Sequence, residues 1–315
     1  MLYRQLGSSG LKVSEVSLGS WLTYGGYVDD GRSESIIEKA YDLGINFFDT
    51  ANAYMKGEAE KVVGSVLKQY PRESYVLATK VWAKMGEGPN DRGLSRKHIM
   101  EQCSASLKRL QMDYIDLYYC HHFDATTPME ETLRAMDDLV RQGKVLYIGV
   151  SNWTAVQITE AIRIADQRLL DRIVVNQPPY NMLNRTIEAE LIPQAAKFGI
   201  GQVVYSPLAQ GVLTGKYKNT ELVPKGSRAE VAQMTQFFKK YLSEHNLQKI
   251  EQLATIAAEL DLTLSQLALA WILKNKHVSS VIVGASKPEQ IEDNVRASGV
   301  VLSAETLDKL EAILN

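Results

Sequence analysis

Two cysteines in 315 residues are too few for a disulfide framework, and Cys103 and Cys120 form no CxxC pair that could hold a metal. Histidine is also scarce. His98, His121, His122, His245 and His277 make no HExxH motif and no i, i+4 pair, so no metal site is expected. No apolar run approaches the roughly 18 to 20 residues that cross a bilayer, which argues against membrane insertion. The opening stretch, MLYRQLGSSGLKVSEVSLGS, lacks the continuous apolar core of a signal peptide, so a cytoplasmic location is expected. Neither sign of charge dominates: 35 Lys and Arg face 37 Asp and Glu, a net charge of -2, which gives no footprint for nucleic acid or an anionic lipid surface. No Gly-rich GxGxxG turn follows a candidate first strand.

What remains is an ordinary globular composition, 45% hydrophobic and 23% charged. Short β-branched or aromatic runs alternate with longer amphipathic segments, the pattern of βα units on a parallel sheet. Strands are expected near residues 14–18, 46–50, 75–81, 114–120, 145–150, 172–177, 202–206 and 278–283. Helical spacing is clearest in PMEETLRAMDDLVRQG, where Met129, Leu133, Met136, Leu139 and Val140 share a face and Gly143 sits at the stop. SRKHIMEQCSASLKRLQ reads similarly, with Ser95 as N-cap. Eight strand-helix repeats without a composition break predict a single (β/α)8 barrel domain over residues 1–315. The GSSG turn near the N-terminus suggests a hairpin closing the barrel floor. Residues 210–242 break the rhythm and read as a long loop after the seventh barrel strand.

Active sites of such barrels lie at the C-terminal strand ends. Asp49 ends the second barrel strand with Tyr54 just beyond it, Lys80 ends the third, and His121 and His122 end the fourth. Each has an ordinary explanation when taken alone: a turn-forming Asp, a solvated Lys, a half-buried Tyr. Together they make a proton-transfer group. A phenol near pKa 10 is a poor acid at neutral pH, but an adjacent ammonium favours its anion and is expected to lower that value. Asp49 would keep Lys80 charged by pairing with it, and His121 could orient a substrate oxygen. The set suits protonation of a carbonyl oxygen or the reverse reaction of an alcohol. It lacks an activated serine or cysteine.

The stretches GINFFDTANAY, VLATK, YIDLYYCHH, IGVSN, VNQPPYN, VVYSPLAQGVLTGKY and VIVGASKPEQIEDN resemble the aldo-keto reductases, in order and over nearly the whole chain. TPMEETLRAMDDLVRQGKVLYIGVSNW and the GSRAE segment resemble the branch of bacterial reductases and β subunits of voltage-gated potassium channels. The resemblance implies an NADP(H)-dependent reductase of aldehydes and ketones. Tyr54 would be the general acid, Lys80 its modifier, Asp49 the lysine's partner and His121 the substrate-orienting residue. It also implies cofactor contacts from Gly19, Ser20, Trp21 and Asp49, a carboxamide cradle of Ser151, Asn152 and Gln177, and a ring stacked on Tyr205. Ser206, Pro207, Leu208 and Gly211 match the pyrophosphate loop, and Lys216 and Arg228 match a strap over the cofactor. Gly284, Ser286, Lys287, Gln290, Asp293 and Asn294 match the adenosine end.

A ribose 2'-phosphate needs cations and hydroxyl or backbone donors, whereas a bare 2'-hydroxyl is usually read by a carboxylate. Ser286 and Lys287, just before a helix opening at Pro288, supply the first kind of site, so NADP(H) is favoured, while Asp293 leaves room for NAD(H). Trp21, Tyr54, Trp82, His121 and His122 are the candidate substrate contacts. Trp21, Tyr24, Trp82 and Trp153 could form an aromatic mouth, and His122-Phe123 departs from the apolar residue and proline common in relatives. The expected partner is a small carbonyl compound. A homo-oligomer is among the assemblies the resemblance allows. The competing readings are a cofactor-binding regulatory subunit, against which the intact histidine at position 121 argues, and a phosphate-handling barrel lyase or isomerase.

Overall fold

A computed structural model describes residues 1–21, 24, 30–217, 219 and 240–315. A two-stranded antiparallel hairpin, β1 (Tyr3–Gln5) and β2 (Lys12–Ser14), precedes eight parallel strands. These are β3 (Val16–Gly19), β4 (Phe47–Asp49), β5 (Val76–Val81), β6 (Ile115–Cys120), β7 (Val145–Ser151), β8 (Val175–Gln177), β9 (Gly201–Val204) and β10 (Val278–Val283). They close as β10-β3-β4-β5-β6-β7-β8-β9, the (β/α)8 barrel expected from the alternation. The helices among the described residues are α1 (Asp30–Asp42), α2 (Glu58–Leu67), α3 (Arg96–Leu110), α4 (Met129–Arg141) and α5 (Ala155–Arg168), followed by α6 (Leu191–Lys197), α7 (Glu244–Glu259), α8 (Leu264–Leu273), α9 (Pro288–Val295) and α10 (Ala304–Leu314).

Barrel strands touch the barrel interior on one side and helices on the other, so their sequences read as unbroken apolar runs. Every residue of β5, β6 and β10 is buried. The inner cluster of Phe47, Val76, Leu117, Tyr119, Val175 and Val203 is plugged from below by Leu6 and Val13 of the hairpin. The hairpin seats closely: a Cβ on Gly7 would lie 2.3 Å from the Gly199 carbonyl oxygen, and the Gly7 φ of +59° is one glycine adopts without strain. Arg4 completes the floor by donating to Glu15 and to the Leu273, Asn275 and Val278 carbonyls.

Those contacts explain one difference from expectation. Residues 14–18 are not one strand, because Ser14 pairs with Tyr3 in the hairpin and the barrel strand starts at Val16. Buried Glu15 sits at the break, accepting from Arg4, Ser298 and the Gly299 N–H. The segment 172–177 is strand only from Val175. The helix signals behave as their chemistry requires. Ser95 Oγ accepts the His98 N–H, and α4 buries Leu133, Met136 and Leu139 before Gly143 turns the chain at φ +68°. The long loop opens with a compact turn at Ala209–Thr214, while Arg228 and the GSRAE segment lie outside the described residues.

Candidate active site

At the C-terminal rim, β4 delivers Asp49 and β5 delivers Lys80 one strand away, the register pairing Asp49 with Ala78. Alternation along β5 turns Thr79 outward, where its hydroxyl meets Glu60 of α2, and Lys80 inward. Lys80 is fully buried, and its ammonium has three protons with three acceptors: Asp49 Oδ1, the Thr50 carbonyl at 2.8 Å and the Tyr54 hydroxyl at 3.2 Å. Asp49 Oδ2 accepts from Gln177 Nε2 at 2.9 Å, so the carboxylate ties β4, β5 and β8 together across the barrel. His121 follows β6, its ring 5.7 Å from that of Tyr54 and stacked at 5.2 Å on His122. Its Nδ1 is buried with no hydrogen-bond partner among the described residues.

Burial sets the protonation states. It pushes the Tyr54 phenol well above its ordinary pKa of 10, and the Asp49 charge adds to the rise. The residue chemistry alone suggests a lowered phenol, with Lys80 dominating. In the folded site desolvation outweighs the ammonium, and the phenol is held neutral. Burial also lowers Lys80, with Asp49 opposing that effect. His121 falls well below 6.5, first through burial and then through Lys80 and His122, so its imidazole is neutral at pH 7. The assembly is therefore a neutral phenol hydrogen-bonded to a buried ammonium, beside a neutral imidazole.

A cavity of about 1260 Å³ opens over this group, above the 300–1,000 Å³ common for small-molecule pockets. The topology divides its rim. Strands β3 to β6 present Trp21, Tyr54, Trp82, His121 and His122, while β7 to β10 present Ser151, Asn152, Gln177, Tyr205 and the segments 206–216 and 284–294. Gly19 lines the wall where a Cβ would meet Ile282 Cγ2 at 2.5 Å. Ser20 is buried behind that wall, its N–H donating to the Asp49 carbonyl.

On the second half, Asn152 takes a left-handed φ of +59° at the end of β7 and accepts from the Tyr205 hydroxyl at 2.8 Å. Ser206, Ala209, Gln210 and Gly211 all have positive φ, turning the chain after β9 into a tight rim with Pro207, Leu208 and Lys216 around it. At β10, Gly284, Ser286, Lys287, Gln290, Asp293 and Asn294 line the far end. Both Asp293 carboxylate oxygens are engaged, Oδ1 by Gln266 Nε2 at 2.7 Å and Oδ2 by Thr263 Oγ1 at 3.1 Å.

Of the four aromatics proposed for the mouth, Trp21 and Trp82 line the cavity. Tyr24 and Trp153 do not; both are buried, Trp153 edge-on to Phe123 at 5.2 Å. Trp82 packs on His122 at 4.7 Å. The loop after Trp82 is held by Asp124, which accepts the Leu94 N–H and bonds from Thr126 and Thr127. Burial opposes these bonds, but together they lower the Asp124 carboxyl to about 2. Sequence reasoning missed several lining residues. Met55 and Lys56 were discoverable from their place beside Tyr54, but Tyr241 reaches the cavity from the turn before α7 and Ser265 from the first turn of α8, with no strand-end position to mark them.

The aldo/keto reductase family profile matches residues 15–315. The chain is 44% identical over 320 residues to a probable voltage-gated potassium channel subunit beta of Oryza sativa subsp. japonica, covering 100% of this chain and 97% of that protein. It is 46% identical over 320 residues, with the same coverage, to the protein of the same description from Arabidopsis thaliana. A putative voltage-gated potassium channel subunit beta of Schizosaccharomyces pombe is 45% identical over 323 residues, covering 99% of this chain and 93% of that one. With the profile spanning the whole barrel, the chain belongs to the aldo/keto reductase family and is an NADPH-dependent oxidoreductase of carbonyl groups.

Proposed function

We propose that this chain reduces aldehydes and ketones to alcohols, with Tyr54 giving the proton and NADP(H) lying along the β7 to β10 half of the rim. The observation that carries the reading is the contact of the fully buried Lys80 ammonium with both Asp49 and the Tyr54 hydroxyl. The chain's own residues suit the cofactor. The cavity exceeds what a small carbonyl compound needs, and its second half is lined with amides and hydroxyls that suit a carboxamide and phosphates. Ser151, Asn152 and Gln177 would hold the carboxamide, Tyr205 would stack on the ring, and Ser206 to Gly211 would border the pyrophosphate. Ser286 and Lys287 would meet the 2'-phosphate. Asp293, with both oxygens engaged, has less capacity to accept from a bare 2'-hydroxyl, which supports NADP(H) over NAD(H).

When bound, the cofactor supplies the hydride. The protein's work is proton management. The raised phenol stays protonated until the carbonyl oxygen develops negative charge, and Lys80 then stabilises the phenolate left behind. Asp49 keeps the ammonium charged and fixed. Neutral His121 can donate to the same substrate oxygen and orient it. Trp21 and Trp82 border the substrate side and exclude water.

Tyr54→Phe tests the assignment. Turnover followed at 340 nm should fall by about 10²- to 10⁴-fold, while NADPH fluorescence titration shows retained binding. A Phe variant that turns over normally refutes Tyr54 as the acid. The names of the three relatives favour a second reading, a cofactor-loaded regulatory subunit of a channel-like partner. Absence of NADPH oxidation across a panel of aldehydes and ketones would make that the better account.

A further inference from the structure

We propose that the carbonyl substrate carries an anionic group, a carboxylate or a phosphate, and that Lys56 is the residue that reads it. The inference deepens the reductase reading above and rests on it. Among the described residues four lysines line the cavity against three carboxylates, one of which, Asp49, is paired with the buried Lys80, in a chain whose overall charge is -2. Such a concentration of one sign in a concave site raises the local concentration of oppositely charged ligands.

The lysines divide with the rim. Lys216, Lys240 and Lys287 follow β9 and β10, on the half assigned to the cofactor, as do Glu289 and Asp293. The lining of the β3 to β6 half holds Lys56, with Asp49 as its lone lining acid among the described residues. Asp49 is already bound to Lys80 and Gln177. The nearby Glu58 is paired with Lys61. Lys56 has no ion pair or side-chain hydrogen bond among the described residues, so the substrate side of the cavity carries a cation without a counter-charge.

The backbone places that cation at a cost. Met55 and Lys56 both have left-handed dihedrals, φ +48° and +53°, directly after Tyr54. For L-residues this conformation is strained, because Cβ crowds the backbone carbonyl. Gly57 continues the turn at φ +94°, and a Cβ there would press on the Arg109 side chain at 2.6 Å. The tight turn between β4 and α2 therefore holds positions 55 and 56 at the cavity mouth beside the phenol, with Met55, Trp21 and Trp82 offering apolar contact for the body of the substrate. Strained residues at a functional site point to a role in holding ligand.

The test compares matched pairs with NADPH: benzaldehyde against 4-carboxybenzaldehyde, and glycolaldehyde against glycolaldehyde phosphate. In the unaltered enzyme the charged member should have the higher kcat/KM in at least one pair, and which pair shows it identifies the anion. In Lys56→Met the charged-to-neutral ratio of kcat/KM should fall about tenfold or more, the range expected for loss of a charge-assisted hydrogen bond. The loss should lie in KM, and Lys56→Arg should retain most of the preference. Quenching of tryptophan fluorescence by benzoate, but not by benzyl alcohol, should weaken in Lys56→Met. If benzaldehyde or glycolaldehyde is reduced but neither charged partner is preferred, or the ratio is unchanged in Lys56→Met, this inference is wrong and the reductase reading stands. If no aldehyde is reduced, both are overturned.

Discussion

Position, more than residue type, gives the site residues their behaviour. A lysine at a strand end is ordinarily solvated, but Lys80 turns inward and finds an acceptor for each of its three protons. His121 shows the same dependence, and it makes stability sensitive to acid. In the unfolded chain its imidazole titrates near 6.5, whereas burial, Lys80 and His122 hold the folded-state value well below that. Below pH 6.5 the unfolded chain thus binds a proton that the folded chain does not. The stability is intact above that pH and is lost as pH falls toward the folded-state value. The buried His98 acts in the same direction. The urea midpoint should therefore be lower at pH 5 than at pH 7, and His121→Gln should narrow the gap without closing it. An equal gap in the variant would show that His121 is not held neutral.

Among elements, the clearest conflict between local preference and packing is Gly64 in α2. Alanine is the better helix former by about 1 kcal/mol, so an exposed Gly64 would be improved by replacement. Here α2 presses on the end of α3, and a Cβ at Gly64 would lie 2.2 Å from the Leu110 carbonyl oxygen. Gly64→Ala should lower the unfolding free energy by about 1–3 kcal/mol, measured by urea titration, because backbone must move to admit the methyl. A gain in stability would mean that the two helices sit farther apart. Other devices at this scale can be read directly from sequence. The T-x-x-Q spacings at Thr154-Gln157 and Thr263-Gln266 are capping boxes in the structure. The second has a use that its spacing does not reveal, since Gln266 also donates to Asp293 and so couples the start of α8 to the β10 end of the cavity.

For the whole molecule, the cavity is a gap between separately delivered strand ends, so a ligand filling it should tie the β7 to β10 half together. A ligand at a hundred times its Kd adds about 2.7 kcal/mol to the stability of the folded state. NADPH should raise the thermal midpoint by a few degrees, and NADH at the same concentration should raise it less, because Lys287 and Ser286 lack a 2'-phosphate to contact and Asp293 is occupied. Equal shifts would remove the argument for a 2'-phosphate site at α9.

The barrel, its order of strands and the grouping of Tyr54 with Asp49, Lys80 and His121 were legible in the sequence because local chemistry encodes them. Apolar runs mark strands buried on both faces, and the C-terminal end of a barrel strand is a position that can be counted. The hairpin break at Glu15 was not legible, because it depends on Arg4, Ser298 and Gly299 meeting a single carboxylate from distant parts of the chain. Nor was the net direction of the Tyr54 shift. Charge adjacency can be guessed from a list of residues, but desolvation is a property of everything packed around the group. Tertiary structure alone sends Trp153 and Tyr24 into the core while Trp82 faces the cavity, and only the closed ring of strands separates the lysines into two sides.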